Sequence, residues 1–391
     1  MIPLTTKAGM SEKMPRAPVW AIAELVKSAP DGIYLNIGEP DFSTPKHIIK
    51  AAEEALAKGY THYMPDKGDP ELRKAIAAKL ERENNFSVDP EDGVIVTIGG
   101  AAANASVLMG LLRKGEEVII PTPHYPNHGY QVTLAHGEAV YVPASETNEY
   151  FIMASSIERA VTPKTRAILL LSPNNPTGTV YDRATIEGIA DIAQSKNLIV
   201  ITDEVYEKFV YDTVKHTSIA SLPGMEDRTI VTNSFSKTYA MTGWRIGYAA
   251  GNPNIIQQAL RYHYAFNMSA VAFIQKAAIA ALTGPQDDVR EMIKEYAARR
   301  KIIVEQLQKI KGVHASAPRG AFYVFPRISD FGINSMEFAK MLAKDAHVAI
   351  VPGSAYGEKG EGHVRISFAA SRNKILEACD RIARVTEKLP R

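Results

Sequence analysis

An α/β fold is what the chain predicts: a mainly parallel seven-stranded sheet sandwiched by helices, with a smaller α+β domain beside it. Three observations predict it. Seven short apolar runs recur along the middle of the chain. Most lack the polar alternation of half-exposed strands, as strands covered on both faces do. Longer amphipathic stretches separate them, and this strand–helix rhythm builds a parallel sheet with helices on both sides.

The strands are predicted, in order, at 94–98, 117–121, 139–142, 167–171, 198–202, 229–232 and 246–250, each rich in Val, Ile, Leu or Ala. Helical patterns fall at 102–112, 125–136, 157–160 and 184–196. The ends read differently. Residues 1–45 are rich in Pro and turn signals, and from about Val289 a long charged helix runs, followed by shorter strands and a last helix from Lys374. This divides the chain into a large domain at 46–288 and a small domain made of 1–45 plus 289–391.

Composition narrows the function. The chain has 391 residues, 46% hydrophobic and 23% charged, which is globular composition. Lys plus Arg is 45 against 43 for Asp plus Glu, a net charge of +2. So small a charge argues against a general nucleic-acid binder. The single cysteine, Cys379, excludes an internal disulfide framework and any multi-cysteine metal site. No histidine pair reads as a zinc motif, so no metal is expected. No apolar run approaches the ~18–20 residues of a membrane span, and the N-terminus lacks the apolar core of a signal peptide. A cytoplasmic protein with no membrane contact is the expectation.

Four segments carry chemistry. Ser234-Phe-Ser-Lys237 through Arg245 follows a buried-type strand, in the crevice where α/β sheets bind ligands. The hydroxyls and Arg245 suit a phosphate, and a lysine beside a phosphate site suggests a Schiff base with pyridoxal phosphate. Ser172-Pro-Asn-Asn175-Pro-Thr-Gly178 is either a plain turn or a turn that aims the Asn175 amide at a ligand. Asp203-Glu-Val-Tyr206 ends an apolar strand with an acid, which is costly without a partner such as a protonated pyridine nitrogen. The alternative is a surface turn. Thr97-Ile-Gly99-Gly100-Ala101-Ala102-Ala103-Asn104 joins a strand to a helix whose free N–H groups can meet a phosphate.

In this order and spacing the segments resemble one family. The chain is similar to the fold-type I pyridoxal-phosphate-dependent aminotransferases of class I/II, the aspartate and aromatic aminotransferase group, over nearly its whole length. The likeness extends to Gly38-Glu-Pro-Asp-Phe42 and to Gly362-His-Val-Arg365-Ile-Ser-Phe368. It implies that Lys237 is the Schiff-base lysine and general base, and that Asp203 pairs with the ring nitrogen. It implies that Asn175 and Tyr206 hold the ring hydroxyl, and that Ser234, Arg245 and the Gly100, Ala101 and Ala102 backbone cradle the phosphate. Tyr125 matches an aromatic ring stacked on the cofactor. Arg365 matches the grip on the substrate α-carboxylate, with Gly38 and Asn175 beside it. Tyr63 looks like the tyrosine that reaches a neighbouring subunit's phosphate, which implies a homodimer. His128 is either a support for the acid or a surface-helix histidine. Arg16, Trp20 and Arg319 read as structural or solvated. Two departures loosen any link to aspartate: Ala101 stands where many relatives have Ser, Thr or Lys, and Tyr125 where many aspartate-acting members have Trp.

The activity so implied moves the amino group of an L-2-amino acid to a 2-oxo acid, 2-oxoglutarate or pyruvate, by a ping-pong mechanism. A C–S lyase, decarboxylase or racemase on the same scaffold is the alternative, and a non-catalytic cofactor-binding regulator a more distant one. The amino acid, the acceptor, the pathway and any oligomer above the dimer are not readable in the sequence.

Overall fold

The computed structural model describes residues 18–389. Among them twelve strands form three sheets. After the short β1 (Ile33–Tyr34) come the seven strands of the large sheet. They are β2 (Val94–Thr97), β3 (Glu117–Thr122), β4 (Glu138–Pro143), β5 (Thr165–Leu171), β6 (Ile199–Asp203), β7 (Thr229–Ser234) and β8 (Gly247–Gly251). Their spatial order is β2-β8-β7-β6-β5-β3-β4. The seven predicted runs are these seven strands, with ends displaced by one or two residues.

The strands read as unbroken apolar runs because both faces are covered. Along β5, Ala167 and Leu169 pack with Ala103, Val107 and Leu108 of the helix Gly100–Leu111 and with Ile256 and Ala259 of the helix Pro253–Asn267. Ile168 and Leu170 face the opposite way, against Ile186, Ile189 and Ala190 of the helix Arg183–Ser195. Period-two alternation is therefore present, but between two cores rather than core and solvent.

One strand departs from the parallel pattern. β8 runs antiparallel to both β2 and β7. The chain turns back after β7 through one helical turn, Phe235–Thr238, and a 3₁₀ turn, Thr242–Trp244, too short for a parallel crossover.

The remaining strands are β9 (Tyr323–Val324), β10 (Val348–Ala349), β11 (Val351–Pro352) and β12 (Val364–Ser367). β1 pairs parallel with β10, and β12 pairs antiparallel with β11 and β9. The long charged helix spans Asp287–Gln308 and the last helix Arg372–Thr386. Ile22, Val26, Ile33 and Leu35 share a core with Ile303, Phe338, Ile366 and Ile382. Tyr206 and Phe209, from the segment after β6, enter that same core. The Pro-rich beginning of the chain holds a helix, Pro18–Val26, that its turn signals hide.

Candidate active site

The strand ends converge. β5 ends at Leu171 and runs into Ser172, β6 ends at Asp203, β7 ends at Ser234, and β2 leads through Gly99 into the helix Gly100–Leu111. A cavity of about 380 Å³ opens between these ends and the segments carrying Gly38, Tyr323 and Arg365. Of the residues singled out from the sequence, Gly38, Gly100, Ala101, Tyr125, Asn175, Asp203, Tyr206, Ser234, Lys237, Arg245 and Arg365 line it. Ala102 and Tyr63 do not. The Ala102 N–H donates to the Gly99 carbonyl at 3.1 Å, and Tyr63 is 80% exposed.

Lys237 sits one helical turn past β7, and its Nζ donates to the Gly38 carbonyl at 2.6 Å. Burial, aided by the charges of Arg365 and Arg245, brings its pKa down from 10.5 to about 8. Asp203 is buried at the end of β6. Its Oδ2 accepts from Asn104 Nδ2 at 2.8 Å and lies 3.1 Å from His128 Nε2. Oδ1 accepts the Val205 N–H at 3.3 Å. His128 is buried against Asp203 and is not a surface histidine.

Arg365 donates through Nη1 to Asn175 Oδ1 at 3.1 Å and through Nη2 to the Asn36 carbonyl. Its guanidinium lies 4.3 Å from the Tyr323 ring centroid, a cation–π contact. Its Nε is buried without a partner among the described residues. Arg245 holds a left-handed backbone, φ 55°, and donates to the Thr242 carbonyl at 3.0 Å. It lies so close to Gly99 that a Cβ there would come 2.6 Å from Nη2. Ser234 Oγ donates to the Ile246 carbonyl at 3.1 Å and stands 2.9 Å from Ser236 Oγ. The helix at Gly100 has no side-chain cap, which leaves its first N–H groups available at the cavity.

Tyr206 is buried, and its hydroxyl lies 2.7 Å from that of Tyr323. Burial raises its pKa well above 10, so it stays a hydroxyl donor. Burial likewise pushes Tyr125 up to about 12. Trp20, read from the sequence as structural or solvated, lines the cavity at 55% exposure. Arg319 lies elsewhere, 2.6 Å from Glu149 and over the Phe151 ring. Arg16 falls outside the described residues.

Three groups were given no role from the sequence. Asn104 stands four residues after Gly100, on the same helix face, and that spacing could have flagged it. Tyr323 had no local signal. Glu204, Glu207 and His216 place one ligand atom each within 4.8 Å of one another, a cluster behind Asp203. Its carboxylates already have partners: Ser218 and Asn84 donate to Glu204, and Lys79, Asn84 and Asn233 to Glu207.

Among the described residues, the cavity holds three cationic side chains, Lys237, Arg245 and Arg365, against one lining carboxylate, Asp203. That excess calls for a ligand with more than one anionic group. Uncapped N–H groups beside Arg245 fit a phosphate, and the unpartnered Arg365 Nε fits a carboxylate.

Residues 30–382 match the family described as aminotransferase class I and II. The chain is 49% identical over 360 residues to an aspartate aminotransferase of Pyrococcus abyssi, covering 91% of this chain and 92% of the relative. It is 46% identical over 361 residues to an aromatic-amino-acid aminotransferase of Thermococcus litoralis, with 91% and 92% covered. The crystal structure of an aromatic aminotransferase from Pyrococcus horikoshii superposes with a TM-score of 0.90 at 46% identity, covering 94% of this chain and 99% of that one.

Proposed function

The chain belongs to the class I and II aminotransferases, which work with pyridoxal phosphate, and we propose how its residues divide the transfer of an amino group from an L-2-amino acid to a 2-oxo acid. Lys237 would hold the cofactor through Nζ. Ser234, Arg245 and the Gly100 and Ala101 N–H groups would hold its phosphate. Asp203, steadied by Asn104 and His128, would supply the negative charge that pairs with its ring nitrogen. Tyr206 and Asn175 would bind its ring oxygen, and Tyr125 would pack on its ring. When bound, the cofactor supplies the electron sink that lets the substrate Cα–H bond break.

Arg365 takes the substrate α-carboxylate, with the free Nε and the fork geometry suited to a bidentate grip. The carboxylate fixes the substrate so that Cα faces Lys237. A free Lys237 amine takes the Cα proton, and a pKa near 8 keeps a useful share of it neutral at working pH. The acceptor 2-oxo acid, 2-oxoglutarate or pyruvate, binds in the same place and reverses these roles in the second half of a ping-pong cycle.

The reading includes a large domain at 46–288 and a small one of 1–45 plus 289–391, with the cavity between them. It also includes a cytoplasmic homodimer in which the exposed Tyr63 serves the partner's phosphate. No helix among the described residues is long and apolar enough to cross a membrane.

The observation that carries the reading is Lys237, half-buried among Arg245, Ser234 and Asp203 in one cavity. Lys237→Ala is expected to abolish turnover while the protein still folds and binds the cofactor through its phosphate. Transamination near the unmodified rate in that variant would refute the assignment.

A further inference from the structure

Tyr323 is the buried side chain that touches both halves of the cavity. Its ring is the platform on which the Arg365 guanidinium lies, 4.3 Å from the centroid. Its hydroxyl lies 2.7 Å from the Tyr206 hydroxyl. The same hydroxyl packs against Gly38, where a Cβ would come within 1.8 Å of it, and the Gly38 carbonyl accepts from Lys237. No sequence motif marks it.

Hydrogen counting gives this contact a direction. Each phenol has one hydrogen to donate. If Tyr206 gives its own to the cofactor ring oxygen, it can only accept at the 2.7 Å contact, so Tyr323 must be the donor there. A hydroxyl that accepts a hydrogen bond becomes a stronger donor itself. Among the described residues the Tyr323 hydroxyl has no other hydrogen-bond partner, and burial raises its pKa, so its proton stays in place for that role.

We propose that Tyr323 is a positioning residue that ties the carboxylate-binding Arg365 to the ring-oxygen donor Tyr206, through one side chain that stacks on the first and donates to the second. The proposal rests on the roles given above to Arg365 and Tyr206. Its two functions are separable. The ring sets how firmly the arginine is held and so acts on substrate binding. The hydroxyl strengthens the Tyr206 donor and so acts on the electronics of the bound cofactor.

The test compares Tyr206→Phe, Tyr323→Phe and Tyr323→Leu, each loaded with pyridoxal phosphate. The readouts are the pH midpoint of the visible colour change, the cofactor dissociation constant and the KM for an amino acid. A donor to the ring oxygen stabilises that oxygen's deprotonated form, so losing it raises the midpoint. Tyr206→Phe is expected to raise it by about one unit. Tyr323→Phe, which keeps the platform, is expected to raise it by roughly a third to a half of that with KM within about threefold. Tyr323→Leu, which loses both, is expected to show the same midpoint shift and a KM raised roughly tenfold.

A midpoint in Tyr323→Phe equal to that of the unmodified enzyme, with Tyr206→Phe shifted, overturns the link and leaves the Tyr206 role standing. An unmoved midpoint in Tyr206→Phe overturns that role and the link with it. Equal KM values in Tyr323→Phe and Tyr323→Leu overturn the platform.

Discussion

His128 Nε2 stands 3.1 Å from Asp203 Oδ2, with both side chains buried. Asn104 donates to the same oxygen at 2.8 Å. One carboxylate oxygen is thus fixed by two partners from two helices, leaving the group oriented before any ligand arrives. Asp203→Asn keeps the shape but removes the charge. Its expected cost is about 10²–10³ in kcat, the scale of losing one preorganised electrostatic group. His128→Phe leaves Asn104 in place and should weaken cofactor binding by only about ten- to a hundredfold, the scale of one hydrogen bond to a charged group. Steady-state rates and equilibrium dialysis check both.

Lys237 should be the most reactive lysine of the cofactor-free protein near neutral pH. Its pKa lies at about 8 instead of 10.5 because burial disfavours the ammonium. Labelling by an amine-acylating reagent, followed by peptide mass spectrometry, is expected to rise with a midpoint near pH 8 at Lys237. Pyridoxal phosphate should protect Lys237 alone.

Gly38 has no room for a side chain. A Cβ would meet the Tyr323 hydroxyl at 1.8 Å and Cζ at 2.8 Å. Gly38→Ala must therefore move the backbone carbonyl that Lys237 contacts, or tilt the platform under Arg365. A displacement of about 1 Å predicts a loss of about 10²-fold in kcat/KM. Adding Tyr323→Phe removes the first clash but not the second, so it should restore only part of the loss.

The cluster behind Asp203 is an ion-pair network whose removal should show in stability. Lys79 and Glu207 form a buried pair, and Asn84 Nδ2 donates to both Glu204 and Glu207 at 2.8 Å. Lys79→Ala strands Glu207 and is expected to cost about 3–5 kcal/mol in denaturant unfolding. Lys79→Met with Glu207→Gln should recover much of it. The network also carries a pH dependence. Glu207 is held down at about 2 from an ordinary 4.5, by Lys79 against the opposing effect of burial. The folded state thus favours the charged form. The resulting stability is complete above about pH 4.5 and is lost as pH falls toward 2.

What was legible in the sequence follows from where the signals sit. The strands of the large sheet were readable because covered strands are compact apolar runs bounded by turn residues. Lys237, Asn175 and Asp203 were readable because each lies at or just past a strand end, where chemistry concentrates, and Arg245 because it stands two residues before the next strand, in the motif that carries Lys237. The reversed β8 was invisible, because antiparallel and parallel buried strands use the same residues. Tyr323 was invisible because its partner Tyr206 lies 117 residues before it, and Arg365 meets it only through the pairing of β12 with β9. The helices Lys46–Ala57, Pro70–Asn84, Pro253–Asn267 and Ala272–Thr283 were not among the predicted helical patterns. Trp20 lies among turn residues, and only the folded chain brings it to the cavity mouth.

The central claim is that an amino group is left on the cofactor and must be collected by a 2-oxo acid. The most direct measurement follows the visible band of the loaded enzyme as single amino acids are added without an acceptor. The account predicts that the band is lost, stays lost, and returns only when a 2-oxo acid is supplied. Steady consumption of the amino acid, with the band persisting and no 2-oxo acid present, would contradict it.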